Sequence, residues 1–389
     1  MKLNSFKIPY LILVFFFTSP STTYGFDEPL LGMNFSQTLV QFQTPIFAQI
    51  PPIGIQIGNQ DDSDEDELSI FFGRTALCVS SGTSALHLSL QAAGIGAGDE
   101  VLVQSLTYLA TFQAISATGA RPVACDINPE SLCIDSEDAK KRITSKTKAI
   151  VPVHYSGGVG DLNEIYKLAE QHKLRVVEDA AQALGSKYKG KYAGTFGLAS
   201  TISLYPAKIL GCFGDGGLIL TNNKKLFSKL HKIRSHGINE KTKKIDHWGF
   251  NSRLDNLQAA FLSFFFKKHN ENINRRRNLA KIYHKELSGL KTIKLPPTCE
   301  DKINYDIFQN YEIICEKRNK LKSFLDKKGI GTLIQWNGVK TNSLSLPNIN
   351  KKKLISDSNF NKLLLLPMNI SLKDSDVKTV CNEIKNFYK

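Results

Sequence analysis

Residues 76–105 read ALCVSSGTSALHLSLQAAGIGAGDEVLVQS. The run ALCV has the length and character of a short buried strand. SALHLSLQAAG carries apolar residues at helical spacing, and Gly94 gives it a stop. EVLVQS is a second strand. The pattern then repeats. TYLATFQAISATG (107–119) reads as a helix, RPVACDI (121–127) as a strand, and AKKRITSKT (139–147) as a polar helix. AIVPVHYSG (149–157) reads as a strand ending in a turn, LNEIYKLAEQHK (162–173) as a helix, and LRVVEDAAQ (174–182) as a strand running into a loop. Strands alternating with helices predict an α/β fold, with a mostly parallel sheet covered by helices. Ligands of such sheets sit beyond the carboxyl ends of the strands.

After Thr221 the style changes. KKLFSKLHKIRSHG (224–237) is a basic amphipathic helix, and residues 253–287 read as one long helical region whose aromatics belong to a core. Beyond LPP at Leu295 a smaller α+β segment follows. Its strand is DIFQNYEIICE (306–316), its helix RNKLKSFLDKKG (318–329), and a last helix comes after Pro367. The expected organisation is a signal-like segment at 1–25, an atypical region at 26–69, a large domain at 70–245, and an interdomain helix with a small C-terminal domain at 246–389. Residues 26–60 have no clear period, while the acidic run DDSDEDEL (61–68) could lead into a short helix.

A chain of 389 residues with 42% hydrophobic and 22% charged residues has the composition of a soluble globular enzyme. Its formal charge of +14 suits anionic partners such as a phosphorylated small molecule. The densest basic run, KKHNENINRRRNLAK (267–281), reads as a solvated helix face. No zinc-finger or RNA-recognition signature accompanies it, so nucleic acid is not an expected partner. Seven scattered cysteines without C-x-x-C spacing fit neither a disulfide framework nor a metal site, and read as small core residues of a protein kept reduced. That points to the cytoplasm. The N-terminus points to export: Lys2 and Lys7 precede an apolar run from Ile8 to Phe17, then small polar residues up to Gly25. The apolar run is too short for an ordinary membrane span.

Four features fall in chain order at strand ends. Ser81, Gly82, Thr83 and Ser84 lie between a strand and a helix, where free backbone N–H groups and hydroxyls bind phosphate. Alone they are also a good plain helix cap. Tyr108, on the next strand–helix junction, could stack on a planar group or sit in the core. Asp179 ends an apolar strand, where a carboxylate needs a cationic partner such as a protonated pyridine nitrogen. Gln182, three residues on, could bond another edge of the same ring. Lys208 sits in STISLYPAKILGCFGDGGLIL (200–220), with the Ser203 hydroxyl before it and glycines after it. A lone lysine there is either a snorkelling surface residue or a Schiff-base nucleophile. A phosphate cradle, a ring stacker, a pyridinium carboxylate and a Schiff-base lysine together make a site for pyridoxal 5'-phosphate.

At these residues the chain resembles the DegT-type nucleotide-sugar aminotransferases, which are fold type I pyridoxal-phosphate enzymes. The matching text includes VVEDAAQALGSKYKGKYAGTFG (176–197), SLYPAKILGCFGDGGLILTN (203–222), GFNSRLDNLQAA (249–260) and LLLLPMN (363–369), within roughly residues 70–389. The resemblance implies that Lys208 and Asp179 are catalytic, Lys208 forming the Schiff base and Asp179 partnering the pyridinium. It also implies that Gln182 contacts the ring hydroxyl, that Gly82, Thr83 and Ser203 hold the phosphate, and that Tyr108 stacks on the ring. Asn251 would reach the phosphate of the other subunit in a homodimer with shared sites. His154 and Arg253 carry over as substrate-side or structural residues. The implied reaction moves an amino group, usually from glutamate, to a keto-sugar on a nucleoside diphosphate, for polysaccharide or glycoside biosynthesis. The alternatives are a non-catalytic or regulatory relative, a secreted or tethered binding protein, and a sugar dehydratase. Dehydratases of the family carry histidine at the lysine position, so Lys208 favours aminotransfer. Two departures stand out: residues 1–60 lack the family's N-terminal segment, and IQWNGVKTN (334–342) departs from its His-Tyr pattern near the sugar site.

Overall fold

Strands that are apolar along their whole length must be covered on both faces, and the sheet order shows how this chain does it. The structure is a computed structural model and describes residues 63–239, 241–338 and 354–389. The signal-like segment at 1–25 and the irregular stretch at 26–60 lie outside them. In chain order the elements of the large body are α1 (Ser63–Phe72), β1 (Thr75–Val79), α2 (Gly82–Ala92), β2 (Glu100–Gln104), α3 (Leu109–Ala117), β3 (Arg121–Cys125), α4 (Ser136–Lys141), β4 (Thr147–Val151), α5 (Leu162–Gln171), β5 (Arg175–Asp179), β6 (Lys187–Tyr188), β7 (Lys191–Tyr192), β8 (Ala199–Ser203), β9 (Gly217–Thr221) and α6 (Lys224–Arg234). The acidic run does lead into a helix, α1.

Seven strands form one sheet in the order β1-β9-β8-β5-β4-β2-β3. From β3 through β2, β4 and β5 to β8 every pairing is parallel. The β8–β9 and β9–β1 pairings are antiparallel, so the strand ALCV joins the sheet at an edge and against the direction of its neighbour. The sheet is thus mostly parallel, as the βα alternation predicts. Leu77, Val79, Val101, Val103, Ala149, Val151, Val177, Ala199 and Ile219 meet α2 and α3 in one fully buried layer. Residues 142–146 turn rather than continue α4, because Arg142 caps it and Thr147 already belongs to β4.

The second half holds α7 (Asn256–Phe266), α8 (His269–Leu287), β10 (Ile293–Lys294), β11 (Asn304–Tyr305), β12 (Tyr311–Cys315), α9 (Arg318–Lys327), α10 (Ile355–Phe360), β13 (Leu363–Leu366) and α11 (Asp374–Tyr388). The expected long helical region is two helices, broken at Lys267 and Lys268. The aromatics of this region are core in part: Phe265 and Phe266 pack half-buried against the large-body core and Tyr283 is fully buried, while Phe264 is 64% exposed. The basic run is not simply a solvated face either. Arg276 donates to the carbonyls of Phe308, Gln309 and Met368 at 3.0–3.2 Å. Arg277 donates to those of Asp306 and Cys299, and Arg275 pairs with Asp374. Three consecutive arginines thereby fasten α8 to the segments that flank the small sheet β10-β12-β13 and to the start of α11. Tyr283, Tyr311, Ile313, Leu321 and Leu364 lie in the core beneath. All seven cysteines are buried.

One buried ion pair ties α1 to the sheet. Arg234, 2% exposed, donates to Glu65 Oε1 at 2.7 Å and to the Cys78 carbonyl at 2.9 Å. The same Glu65 oxygen accepts from the Cys78 N–H at 2.7 Å. Removing the carboxylate strands a guanidinium in a buried setting, which costs about 3 kcal/mol. Glu65→Ala is expected to lower the urea unfolding midpoint accordingly, whereas a change at the exposed Lys225 should leave it in place.

Candidate active site

Helix α2 begins where β1 ends, and its first turn has N–H groups with no partner inside the helix. Ser81 caps it, its hydroxyl accepting from the Ser84 N–H at 3.0 Å. Gly82 and Thr83 open the helix. The ends of β8 and β9 press against this turn, with Ser203 pairing in register with Gly217. A Cβ on Gly82 would lie 2.9 Å from the Ser203 Cβ, and one on Gly217 would lie 2.3 Å from the carbonyl group of Ser81. Glycine at both positions lets the Ser203 hydroxyl come up beside the open helix N-terminus. Such an arrangement has the donors to cradle a phosphate.

Asp179 ends β5 at the centre of the sheet and is 3% exposed. Thr111 donates to its Oδ2 at 2.8 Å, and the Ala181 N–H donates to Oδ1 at 3.1 Å. Burial pushes its carboxyl above the ordinary range, against those two hydrogen bonds and the nearby charge of Lys208. A second cation at this carboxylate would relieve the remaining cost. Lys208 is half-buried. Loss of water lowers its amine to about 8, and the negative charge of Asp179 only partly opposes this. Such an amine is a usable nucleophile near neutral pH. Gln182 accepts from the Ser156 N–H at 2.8 Å through its amide oxygen, leaving the NH₂ end for another contact. Tyr108 caps α3, one turn from Thr111, and its ring is 56% exposed. Asn251 is exposed and bridges to Ser235.

His154 is fully buried, bonded through Nε2 to Glu178 Oε2 at 2.9 Å. Glu178 also accepts from the N–H groups of Gly194, Phe196 and Gly197 at 2.7–2.9 Å. Burial alone would raise the Glu178 carboxyl, but the bonds from His154 and these amides hold it below the ordinary range. His154 is therefore a structural partner of Glu178, while Arg253 is half-buried. Thr111 went unnoticed in the sequence, although it stands in the first turn of the helix that follows the Tyr108 junction. Among the described residues no cluster of side chains suits a metal ion, and no helix is long and apolar enough to cross a membrane.

The donor set fits pyridoxal phosphate: a cradle closed by two glycines, a buried carboxylate short of positive charge, and an amine held near 8. The sequence profile of the DegT/DnrJ/EryC1/StrS aminotransferase family matches residues 53–385. The chain is 40% identical to the dTDP-3-amino-3,4,6-trideoxy-alpha-D-glucose transaminase of Streptomyces venezuelae, over 67% of this chain and 68% of that protein. It is 38% identical to a protein of Geobacillus stearothermophilus called a pleiotropic regulatory protein, over 79% and 84%. The structure of DesV from S. venezuelae superposes with a TM-score of 0.80 at 34% identity, covering 85% of this chain and 90% of that one. That of NtdA from Bacillus subtilis, solved with bound cofactor PMP, superposes at 0.76 with 31% identity, covering 83% and 77%.

The Lys208 amine is expected to titrate near pH 8 in the cofactor-free protein. The rate of its acetylation, followed by mass spectrometry of the Lys208 peptide, should rise with that midpoint. The peptide carrying the exposed Lys225 serves as the internal reference for reagent decay.

Proposed function

The chain belongs to the DegT/DnrJ/EryC1/StrS aminotransferase family, and we propose that it moves an amino group from glutamate to a keto-sugar carried on a nucleoside diphosphate. It is a pyridoxal-phosphate enzyme of α/β fold. The observation that carries the reading is the convergence of Lys208 and Asp179 at the strand ends, each within reach of the other's charge: a half-buried amine lowered to about 8 and a buried carboxyl raised above its ordinary range. Pyridoxal phosphate, when bound, supplies the aldehyde that accepts the amino group and the electron sink that lets the neighbouring proton leave.

The residues of the chain do the rest. The N–H groups of Gly82 and Thr83 and the hydroxyl of Ser203 hold the phosphate. Asp179, aimed by Thr111 and the Ala181 amide, takes the protonated ring nitrogen and keeps it charged. The NH₂ end of Gln182 binds the ring hydroxyl, and Tyr108 covers a face of the ring. With the cofactor in place, Lys208 would hold it through its amine and would carry the proton that leaves the substrate carbon. Histidine at this position would serve a dehydratase, and lysine serves transfer. Positive charge in excess suits a diphosphate-bearing sugar, and the transaminase name of the Streptomyces relative points the same way. Buried thiols and a nucleotide-linked substrate suit the cytoplasm.

We further propose a homodimer. Helix α7 turns Leu257 and Phe264 outward, and Phe213 stacks edge-on against Phe261 at 4.6 Å while staying 67% exposed. A contiguous apolar face of this kind asks for a partner. A second copy there would cover it, and the exposed Asn251 would complete the neighbour's phosphate site.

Purified protein mixed with pyridoxal phosphate should develop a visible absorption band that glutamate bleaches, and Lys208→Ala should never develop it. A folded protein without that band would refute the aminotransferase reading in favour of a regulatory relative. Phe264→Glu is expected to shift sedimentation from dimer to monomer and to weaken pyridoxal phosphate binding at least tenfold. A monomeric wild type would end the shared-site proposal.

A further inference from the structure

Lys208 stands in a tight loop between β8 and β9. The Cys212 N–H closes the loop on the Leu204 carbonyl at 2.8 Å. The direction in which a side chain leaves the backbone is set by the two peptide planes that meet at its Cα. At Lys208 three of the four polar groups on those planes are held. Its own N–H donates to the Tyr205 carbonyl at 2.9 Å. The other two bonds come from one distant side chain. Gln309 donates from Nε2 to the Ala207 carbonyl at 2.9 Å, and its Oε1 accepts from the Ile209 N–H at 2.9 Å. A primary amide has one donor end and one acceptor end, which matches the two peptide groups flanking the lysine.

Gln309 is itself anchored. It is buried in the bend leading into β12, and Arg276 from α8 donates to its carbonyl and to that of Phe308. Gly157, at φ +105°, lies so close that a Cβ there would come within 2.7 Å of the Gln309 nitrogen. The next residue, Asn310, donates its N–H to the Ser156 carbonyl at 3.1 Å, and the Ser156 N–H is the group bound by Gln182. One segment from the second half of the chain thus touches the supports of both Lys208 and Gln182.

We propose that Gln309 is a positioning residue for Lys208, clamping the peptide groups on either side of it and so tying the aim of its amine to the placement of the small C-terminal sheet. The proposal rests on the reading of Lys208 as the cofactor lysine. The amide is uncharged, so it holds the loop without adding a charge beside the amine. Without it the loop loosens, water reaches the amine, and the lysine returns toward its ordinary titration.

Gln309→Met keeps the length and bulk and removes both hydrogen bonds. In cofactor-free protein, the acetylation midpoint of Lys208 is expected to rise by about one pH unit, which lowers the free amine at pH 7 about tenfold. Gln309→Glu keeps the shape, loses the donor and adds negative charge, so its midpoint should rise at least as far. Ile313→Ala, a truncation in the core of the small sheet, should lower Tm and leave the midpoint alone. An unchanged midpoint in either Gln309 variant, or an equal rise in Ile313→Ala, would overturn the proposal. No cofactor is added in this measurement. A protein that forms no visible band with pyridoxal phosphate would sink the functional reading and leave this result standing.

Discussion

A carboxylate buried at the middle of a parallel sheet is the constraint around which the site is arranged. Asp179 lies where strand ends converge, out of reach of water, and its hydrogen bonds from Thr111 and Ala181 do not offset what burial takes away. The deficit is one of positive charge. Lys208 supplies part of it and is itself depleted of water, so the two groups are pushed toward neutrality from opposite sides. On the proposed reading, a bound ring carrying a protonated nitrogen would complete the balance.

The alternation of short apolar runs with helical periods made the parallel sheet legible, because both signals are local. Strand direction at the edge was not. ALCV looks the same whether its neighbour runs with it or against it, and only the later return of β9 decides the matter. The same limit explains 253–287. Apolar spacing continues across Lys267 and Lys268, but the break there and the outward turn of Phe264 depend on what packs against the helices. RRR at 275–277 reads as solvated because three charges in a row usually are; here each finds carbonyl or carboxylate partners from other segments.

Site residues were legible in proportion to how local their chemistry is. Gly82, Ser203, Asp179 and Lys208 sit in short motifs whose composition is unusual for their surroundings. Thr111 and Gln309 are ordinary polar residues in ordinary text, and their importance comes from what lies across the fold. Gln309 is separated from the peptide groups it holds by about a hundred positions. No window along the chain contains both, so only the three-dimensional arrangement reveals the connection.

Glu178 and Asp179 are adjacent acids on one strand, and they meet opposite environments because successive residues point to opposite faces. One is saturated: His154 and three backbone amides fix it as an internal brace. The other is left deliberately underserved. The chemical role of each is thus assigned by parity along β5. Sliding that strand by a single position against β8 would exchange the braced acid and the unbalanced one, with every residue still present. Faithful strand alignment, from Val177 opposite Ala199 to Asp179 opposite Thr201, therefore decides which of the two acids is left short of positive charge.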